Sequence, residues 1–194
     1  ARWPRTGCGG CGGSSRHSPR NQFVATVLNR AGLGTLLFDL LTRAEELDRA
    51  NVFDIGLLAR RLIEATQWLS DRPETEALAV GYFGASTGAA AALWAAAEPG
   101  SEVAAVVSRG GRPDLAGPRL EAVRAPTLLI VGARDHAVLE LNRRALAQLR
   151  CPSDLAVVPG ATHLFEEPGT LAMAAALARD WFLSQLPAGA RSAA

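Results

Sequence analysis

The sequence predicts an α/β protein, a mainly parallel sheet flanked by helices on both faces. Three observations carry that prediction. Short apolar runs alternate along the chain with longer segments whose apolar residues recur at helical spacing, which is the pattern of βαβ units. Thr35 to Leu41 is apolar at nearly every position, as suits a strand covered on both faces. The run Val80-Gly81-Tyr82-Phe83 breaks at Gly84-Ala85-Ser86-Thr87-Gly88 and passes at once into an alanine-rich segment. That is a strand, a turn of almost no length and a helix, with a serine at the apex.

Each element has its own justification. Residues 1–13 are rich in Gly and Arg without periodicity and are expected to be irregular. Ser18-Pro19 opens a helix as cap and first helical residue, with Phe23, Val24, Val27 and Leu28 as its apolar face and Gly32 as its end. Thr35–Leu41 is a strand, and the charged Thr42–Asn51 a surface connection. Ile55, Leu58, Leu62, Ala65 and Leu69 mark a helix that Asp71-Arg72-Pro73 stops. After the strand–Ser86–helix unit, Val103–Val107 and Thr127–Val131 are strands. Between them lie a loop, Ser108 to Pro118, and a helical turn at Leu120–Val123. Leu139–Leu149 is a helix, Leu155–Val158 a strand, Pro159–His163 a loop and Pro168–Leu186 the last helix. One domain over residues 14–187 is expected, with a frayed tail at 188–194.

Bulk properties narrow the function. With 194 residues the chain is long enough for a real core, and 48% apolar and 20% charged residues are ordinary for a soluble domain. A formal net charge of +1 argues against nucleic acid or an acidic membrane surface as partner. All 20 basic residues counted as Lys plus Arg are arginine, so Schiff-base or lysine-nucleophile chemistry is excluded. Cys8, Cys11 and Cys151 are too few and scattered for a disulfide framework, and Cys8-Gly9-Gly10-Cys11 has no second pair to complete a zinc site. His17, His136 and His163 lack metal-ligand spacing, so neither metal nor cofactor is expected. No apolar run reaches membrane-spanning length and the N-terminus lacks a secretory layout, so a cytoplasmic location is expected. The lone methionine is Met173, and the chain is expected to be a fragment or the tail of a longer reading frame.

Functional groups of a parallel sheet gather on loops beyond the carboxyl ends of its strands. Three candidates fall there, in the order Ser86, Asp135, His163. A serine needs a base to become a nucleophile; a histidine titrates near neutrality, and a carboxylate fixes its tautomer. Each has a bland alternative: Ser86 or Asp135 as a helix cap, Asp135 as a partner of Arg134, His163 as a surface residue. Three suitable types at successive strand ends favour the catalytic reading.

The chain resembles α/β-hydrolases of the dienelactone hydrolase-like group. The resemblance rests on Gly84-Ala85-Ser86-Thr87-Gly88, on Leu128-Leu129-Ile130-Val131-Gly132-Ala133-Arg134-Asp135 and on Pro159-Gly160-Ala161-Thr162-His163. Ser14-Ser15-Arg16-His17-Ser18-Pro19-Arg20-Asn21 also looks like this group's loop and first helix. The resemblance implies Ser86 as nucleophile, His163 as general base and acid, and Asp135 as the orienting carboxylate. Dienelactone hydrolases proper carry cysteine at the nucleophile position, so their particular substrate is not carried over. Relatives of this kind are also joined to a phosphoribosyltransferase domain, which implies fusion to, or association with, another domain upstream.

The match fails in one place. The group's pattern has an apolar strand ending in His-Gly before the Ser-rich loop, and residues 1–13 carry two arginines, a proline and few strand formers. The N-terminal strand is therefore expected to be reduced or missing, through a shifted frame, truncation or divergence. The N–H of Thr87 is one expected oxyanion donor, and Gly12 or Gly13 would supply the second. Arg109 and Arg112 are candidates for contacting an anionic substrate, against the alternative of a solvated loop pair, and Arg16 and His17 lie near the expected mouth. Short connections between strands favour small soluble esters or lactones. The expected activity is serine hydrolysis of small esters, thioesters or lactones through an acyl-enzyme. The rivals are acyl transfer to another acceptor and a catalytically silent scaffold with a binding role. A phosphate-binding glycine loop at residues 7–13 lacks the Lys-Ser/Thr ending and is set aside.

Overall fold

A computed structural model describes residues 5–10 and 15–186, with only the backbone for 5–10 and for 15. Six strands form one sheet in the order β2-β1-β3-β4-β5-β6. They are β1 (Arg5–Gly10), β2 (Gly34–Leu37), β3 (Val80–Ala85), β4 (Ala105–Arg109), β5 (Thr127–Gly132) and β6 (Ser153–Val158), and every neighbouring pair is parallel. The helices are α1 (Pro19–Arg30), α2 (Arg43–Glu46), α3 (Arg49–Phe53), α4 (Ile55–Ser70), α5 (Thr87–Ala96), α6 (His136–Gln148) and α7 (Thr170–Gln185).

The sheet divides the core in two. On one face Leu58, Leu62, Tyr82, Leu93, Val106, Leu120 and Leu129 pack beneath α4, α5 and α6. On the other, Val24, Leu28, Phe83, Val107, Ile130 and Phe182 pack beneath α1 and α7. Strand residues alternate between the clusters, which is why β4 and β5 are buried at every position. Helix α5 is nearly all alanine on its sheet-facing turns, and small side chains let it lie deep between α4 and the sheet: nine of its residues are buried.

The structure corrects the reading of the N-terminal stretch. Arg5–Gly10 is a full strand, inserted between β2 and β3 and paired from Arg5↔Val80 to Gly10↔Ala85. A parallel ladder is built from backbone N–H and C=O groups, and a stretch with partners on both sides joins it despite poor strand-forming side chains. The N-terminal strand is thus neither reduced nor missing, and residues 1–13 are not irregular throughout. Cys8 lies in β1, whereas Cys11, Gly12, Gly13 and the tail from 187 lie outside the described residues.

Other differences are smaller. The strand expected over Thr35–Leu41 stops at Leu37. It is an edge strand and only partly buried, so its apolar run continues into a loop that packs Leu40 on the core. The expected connection at Thr42–Asn51 holds α2 and α3. Thr42 and Glu45 form a reciprocal capping box there, and Asp48 caps α3 through the Ala50 N–H at 2.9 Å. The loop expected at Ser108–Pro118 starts later and becomes 3-10 turns from Pro113. Among the described residues, no helix is long and apolar enough to cross a membrane.

Candidate active site

β3 ends at Ala85 and α5 begins at Thr87, so Ser86 alone makes the turn. Its backbone sits at φ 52° and ψ −126°, a conformation that costs an L-residue on the order of 1–3 kcal/mol. The turn is this tight because Gly84 has no side chain: a β-carbon there would lie 2.5 Å from the Cα of Ala89. Ser86 stands at the N-cap position of α5, yet its side chain makes no capping bond. Its hydroxyl is not used to end the helix. Thr87 is almost fully buried, and as the first residue of the helix its N–H has no intrahelical acceptor.

Asp135 follows β5 in a turn closed by its own N–H on Gly132 O at 3.0 Å. It too precedes a helix, α6, without capping it. The carboxylate Oδ2 instead meets His163 Nδ1 at 2.7 Å, with the Asp135 side chain 14% exposed and that of His163 43%. The pairing fixes which imidazole nitrogen faces the carboxylate and leaves the ring accessible from solvent.

The loop carrying His163 is stitched to the loop carrying Asp135. Ala133 N–H donates to Val158 O and Arg134 N–H to Ala161 O, both at 2.9 Å. The turn Thr162–Phe165 closes through Phe165 N–H on Thr162 O at 3.3 Å. Phe165 adopts φ 55° and buries its ring against the α1/α7 face of the core. Thr162 N–H donates to Glu167 Oε2 at 3.0 Å. Hydrogen bonds from Thr162 hold the Glu167 carboxyl below its ordinary range, with the charge of Arg134 a smaller cause.

Between these halves lies the loop after β4. Gly110 faces His163, since a β-carbon at 110 would sit 3.2 Å from His163 O and 3.8 Å from its Cε1. Two residues on, Arg112 N–H donates to Ser86 O at 3.0 Å. Ser86, Asp135 and His163 therefore all stand at the carboxyl end of the sheet, on β3, β5 and β6, with the β4 loop touching both halves. Among the described residues no hydrogen bond joins Ser86 Oγ to His163.

The arginines are placed otherwise than a solvated loop pair would be. Arg109 is the last residue of β4, paired in register with Ala85, and only 7% exposed. Its Nη2 donates to Asn21 Oδ1 at 3.4 Å and its guanidinium lies 5.7 Å from the Phe83 ring centroid. Arg112 forms a two-pronged ion pair with Asp114, with Nε and Nη2 each 2.8 Å from a carboxylate oxygen. Arg16 is tied to Asp39 through its N–H at 3.1 Å and its Nε at 3.0 Å, which anchors the loop holding His17 beside the end of β2. Among the described residues no group of three or more His, Cys, Asp or Glu is placed to hold a metal ion. Groove-lining residues such as Ser70, Asp71, Leu78 and Gly100 belong to the opposite end of the strands.

A parallel sheet of this order, with a serine on a strained strand-to-helix elbow and an Asp–His pair on later strand ends, defines an α/β-hydrolase. Comparison with known proteins narrows the class. The chain belongs to the dienelactone hydrolase family, whose model matches residues 34–185. The crystal structure of a dienelactone hydrolase from Anabaena variabilis ATCC 29413 is 55% identical in sequence. It superposes with a TM-score of 0.91, covering 96% of this chain and 88% of that one. Est1E from Butyrivibrio proteoclasticus, at 14% identity and a TM-score of 0.79, covers 95% of this chain and 88% of its own and shares the fold. A Mycobacterium tuberculosis (strain ATCC 25618 / H37Rv) protein named "Putative phosphoribosyl transferase Rv0571c" is 67% identical over 174 residues. That match covers 90% of this chain and 39% of the relative, so the chain spans about two fifths of the relative's length.

Proposed function

We propose that the protein is a serine hydrolase that cleaves small carboxylic esters, thioesters or lactones through an acyl-enzyme. The observation that carries this is the 2.7 Å contact between Asp135 and His163, made at strand ends beyond the elbow that presents Ser86. In this reading His163 Nε2 accepts the Ser86 hydroxyl proton as Oγ attacks the substrate carbonyl carbon. The Thr87 N–H, freed by its place at the start of α5, donates to the oxyanion that forms. Collapse of the tetrahedral intermediate expels the alcohol or thiol, which takes the proton from His163, and leaves an ester on Ser86. Water, deprotonated by the same imidazole, then releases the acid. Asp135 keeps Nδ1 protonated and stabilises the imidazolium at both stages. The second oxyanion donor expected at Gly12 or Gly13 lies outside the described residues.

Three features support the ester class. Ser86 and Asp135 each decline the capping role that their position offers, the His163 loop is held from both sides, and the 55% identical relative is a dienelactone hydrolase by name. An anionic substrate gains no support from Arg112, which is occupied by Asp114. Association with a further domain stays part of the proposal, because the mycobacterial relatives are longer than this chain. The name of those relatives describes the whole of a protein of which this chain matches 39%.

Labelling with a fluorophosphonate probe tests the proposal, with Ser86→Ala and His163→Ala in parallel and short-chain p-nitrophenyl esters as substrates. Labelling and turnover by the parent alone are the expected outcome. A folded parent that neither labels nor turns over would instead favour a silent scaffold with a binding role.

A further inference from the structure

The environment of Ser86 contains a second chain of hydrogen bonds that neither the serine nor the histidine explains. It begins at Asn142 on α6, a fully buried residue. Its Nδ2 donates to Gly111 O at 3.0 Å and to Val138 O at 2.8 Å. Two carbonyl oxygens at that distance fix the amide's orientation, since the opposite orientation would set oxygen against oxygen. The Asn142 Oδ1 is left buried without a partner among the described residues, a cost that leucine at this position would not carry. The Val138 bond is an ordinary local contact within α6. The Gly111 bond reaches another element.

Gly111 O and Arg112 N–H belong to one peptide group, and that N–H donates to Ser86 O at 3.0 Å. Ser86 O and Thr87 N–H are likewise the two ends of one peptide group. The bonds therefore run in a single direction, from the Asn142 amide through the 111–112 peptide and the 86–87 peptide to the Thr87 N–H. Aligned donors of this kind hold each peptide plane in place and polarise the next.

We propose that Asn142 is a positioning residue for the oxyanion site: through two peptide groups it sets the direction and donor strength of the Thr87 N–H. The inference rests on the serine hydrolase reading above. Removing the Asn142 donor frees the 111–112 peptide to tilt. The grip on the Ser86 carbonyl from outside α5 then loosens, and the 86–87 peptide is held by the strained elbow and by Ala89 N–H at 3.2 Å, a bond from within α5 itself.

The experiment compares the parent with Asn142→Ala and with Asn142→Leu, which keeps much of the volume and loses the donor. Each is acylated on Ser86 with a slowly hydrolysed ester carrying a 13C-labelled carbonyl, and isotope-edited infrared spectra record the acyl carbonyl stretch. Circular dichroism establishes that each variant is folded. The expected result is a stretch moved to higher frequency in both variants, with kcat lower by roughly three- to tenfold and KM within about twofold. An unchanged stretch in a folded variant, at whatever turnover, overturns the inference; so does a fall in kcat traced only to loss of folded protein in both variants. Ser86→Ala separates the two levels. If it is as active and as readily labelled as the parent, the hydrolase reading fails and takes the positioning role with it. If Ser86 is essential and the stretch does not move, only the role of Asn142 falls.

Discussion

The backbones of Gly84 and Ala89 approach so closely that a β-carbon on the first would lie 2.5 Å from the Cα of the second. Both partners are backbone, one in a strand and one in a helix, so neither can swing aside. Gly84→Ala should destabilise the protein by roughly 3 kcal/mol, the upper range for overpacking. For a chain of this size that lowers Tm by about 6–12 °C. Gly100→Ala, where φ is +80° and open space surrounds the site, carries only conformational strain of about 1–2 kcal/mol. Thermal denaturation of the pair checks the ranking.

Ser86 gives a second stability prediction, independent of chemistry. Its φ and ψ suit glycine, so Ser86→Gly relieves strain that Ser86→Ala retains. Net of the extra freedom glycine has when unfolded, Ser86→Gly should be more stable than Ser86→Ala by about 1 kcal/mol. Urea unfolding of the two variants measures the difference. Equal stability would mean that the elbow is not strained.

The Asp135–His163 pair predicts a large kinetic effect with a small structural one. Asp135→Asn keeps the size of the side chain but turns the imidazole toward the wrong tautomer, and kcat should fall by about 10³–10⁴. The melting temperature should stay within a few degrees, because the loop is also held by Arg134 N–H on Ala161 O. Steady-state ester hydrolysis and circular dichroism together test this.

Glu167 predicts a pH effect. Its carboxyl is held below the ordinary value of 4.5 by hydrogen bonds from Thr162. A carboxylate depressed on folding contributes stability that is complete above its unfolded value and is lost as pH falls through the folded one. The urea midpoints of the parent and Glu167→Gln should differ by a constant amount at neutral pH, and the gap should close below about pH 4.5. A gap independent of pH would show that the charge of Glu167 has no part in holding the Thr162 turn.

How far the sequence alone reached depends on whether a feature is local. The elbow at Ser86, and the strand ends before Asp135 and His163, were legible because glycine spacing and apolar runs are properties of short segments. β1 was not, because its pairing is supplied by β2 and β3 on either side and not by its own side chains. The place of Arg109 in β4 is not legible locally, because the end of that strand is set by register with Ala85 and Ile130. The short helix α2 did carry a readable signal, the Thr42-x-x-Glu45 capping box. Asn142 carried none: one asparagine in an amphipathic helix has no signature until its carbonyl partner on another element is seen.

The position of β4 has one more consequence. The bend at Ser86 is built from residues 80–96, and the parts that grip the imidazole from residues 127–167. Only β4 stands between β3 and β5. Its two flanking inter-strand spacings, about 4.8 Å each, separate the serine's strand from the aspartate's. β4 therefore acts as a gauge block, and the sideways separation between the serine's strand and the aspartate's is two strand spacings. Backbone hydrogen bonding fixes that separation whatever residues the strand carries. Side-chain changes in β4 can loosen or stiffen the core, yet they leave that spacing as it is; only shifting its register would alter how the two halves meet.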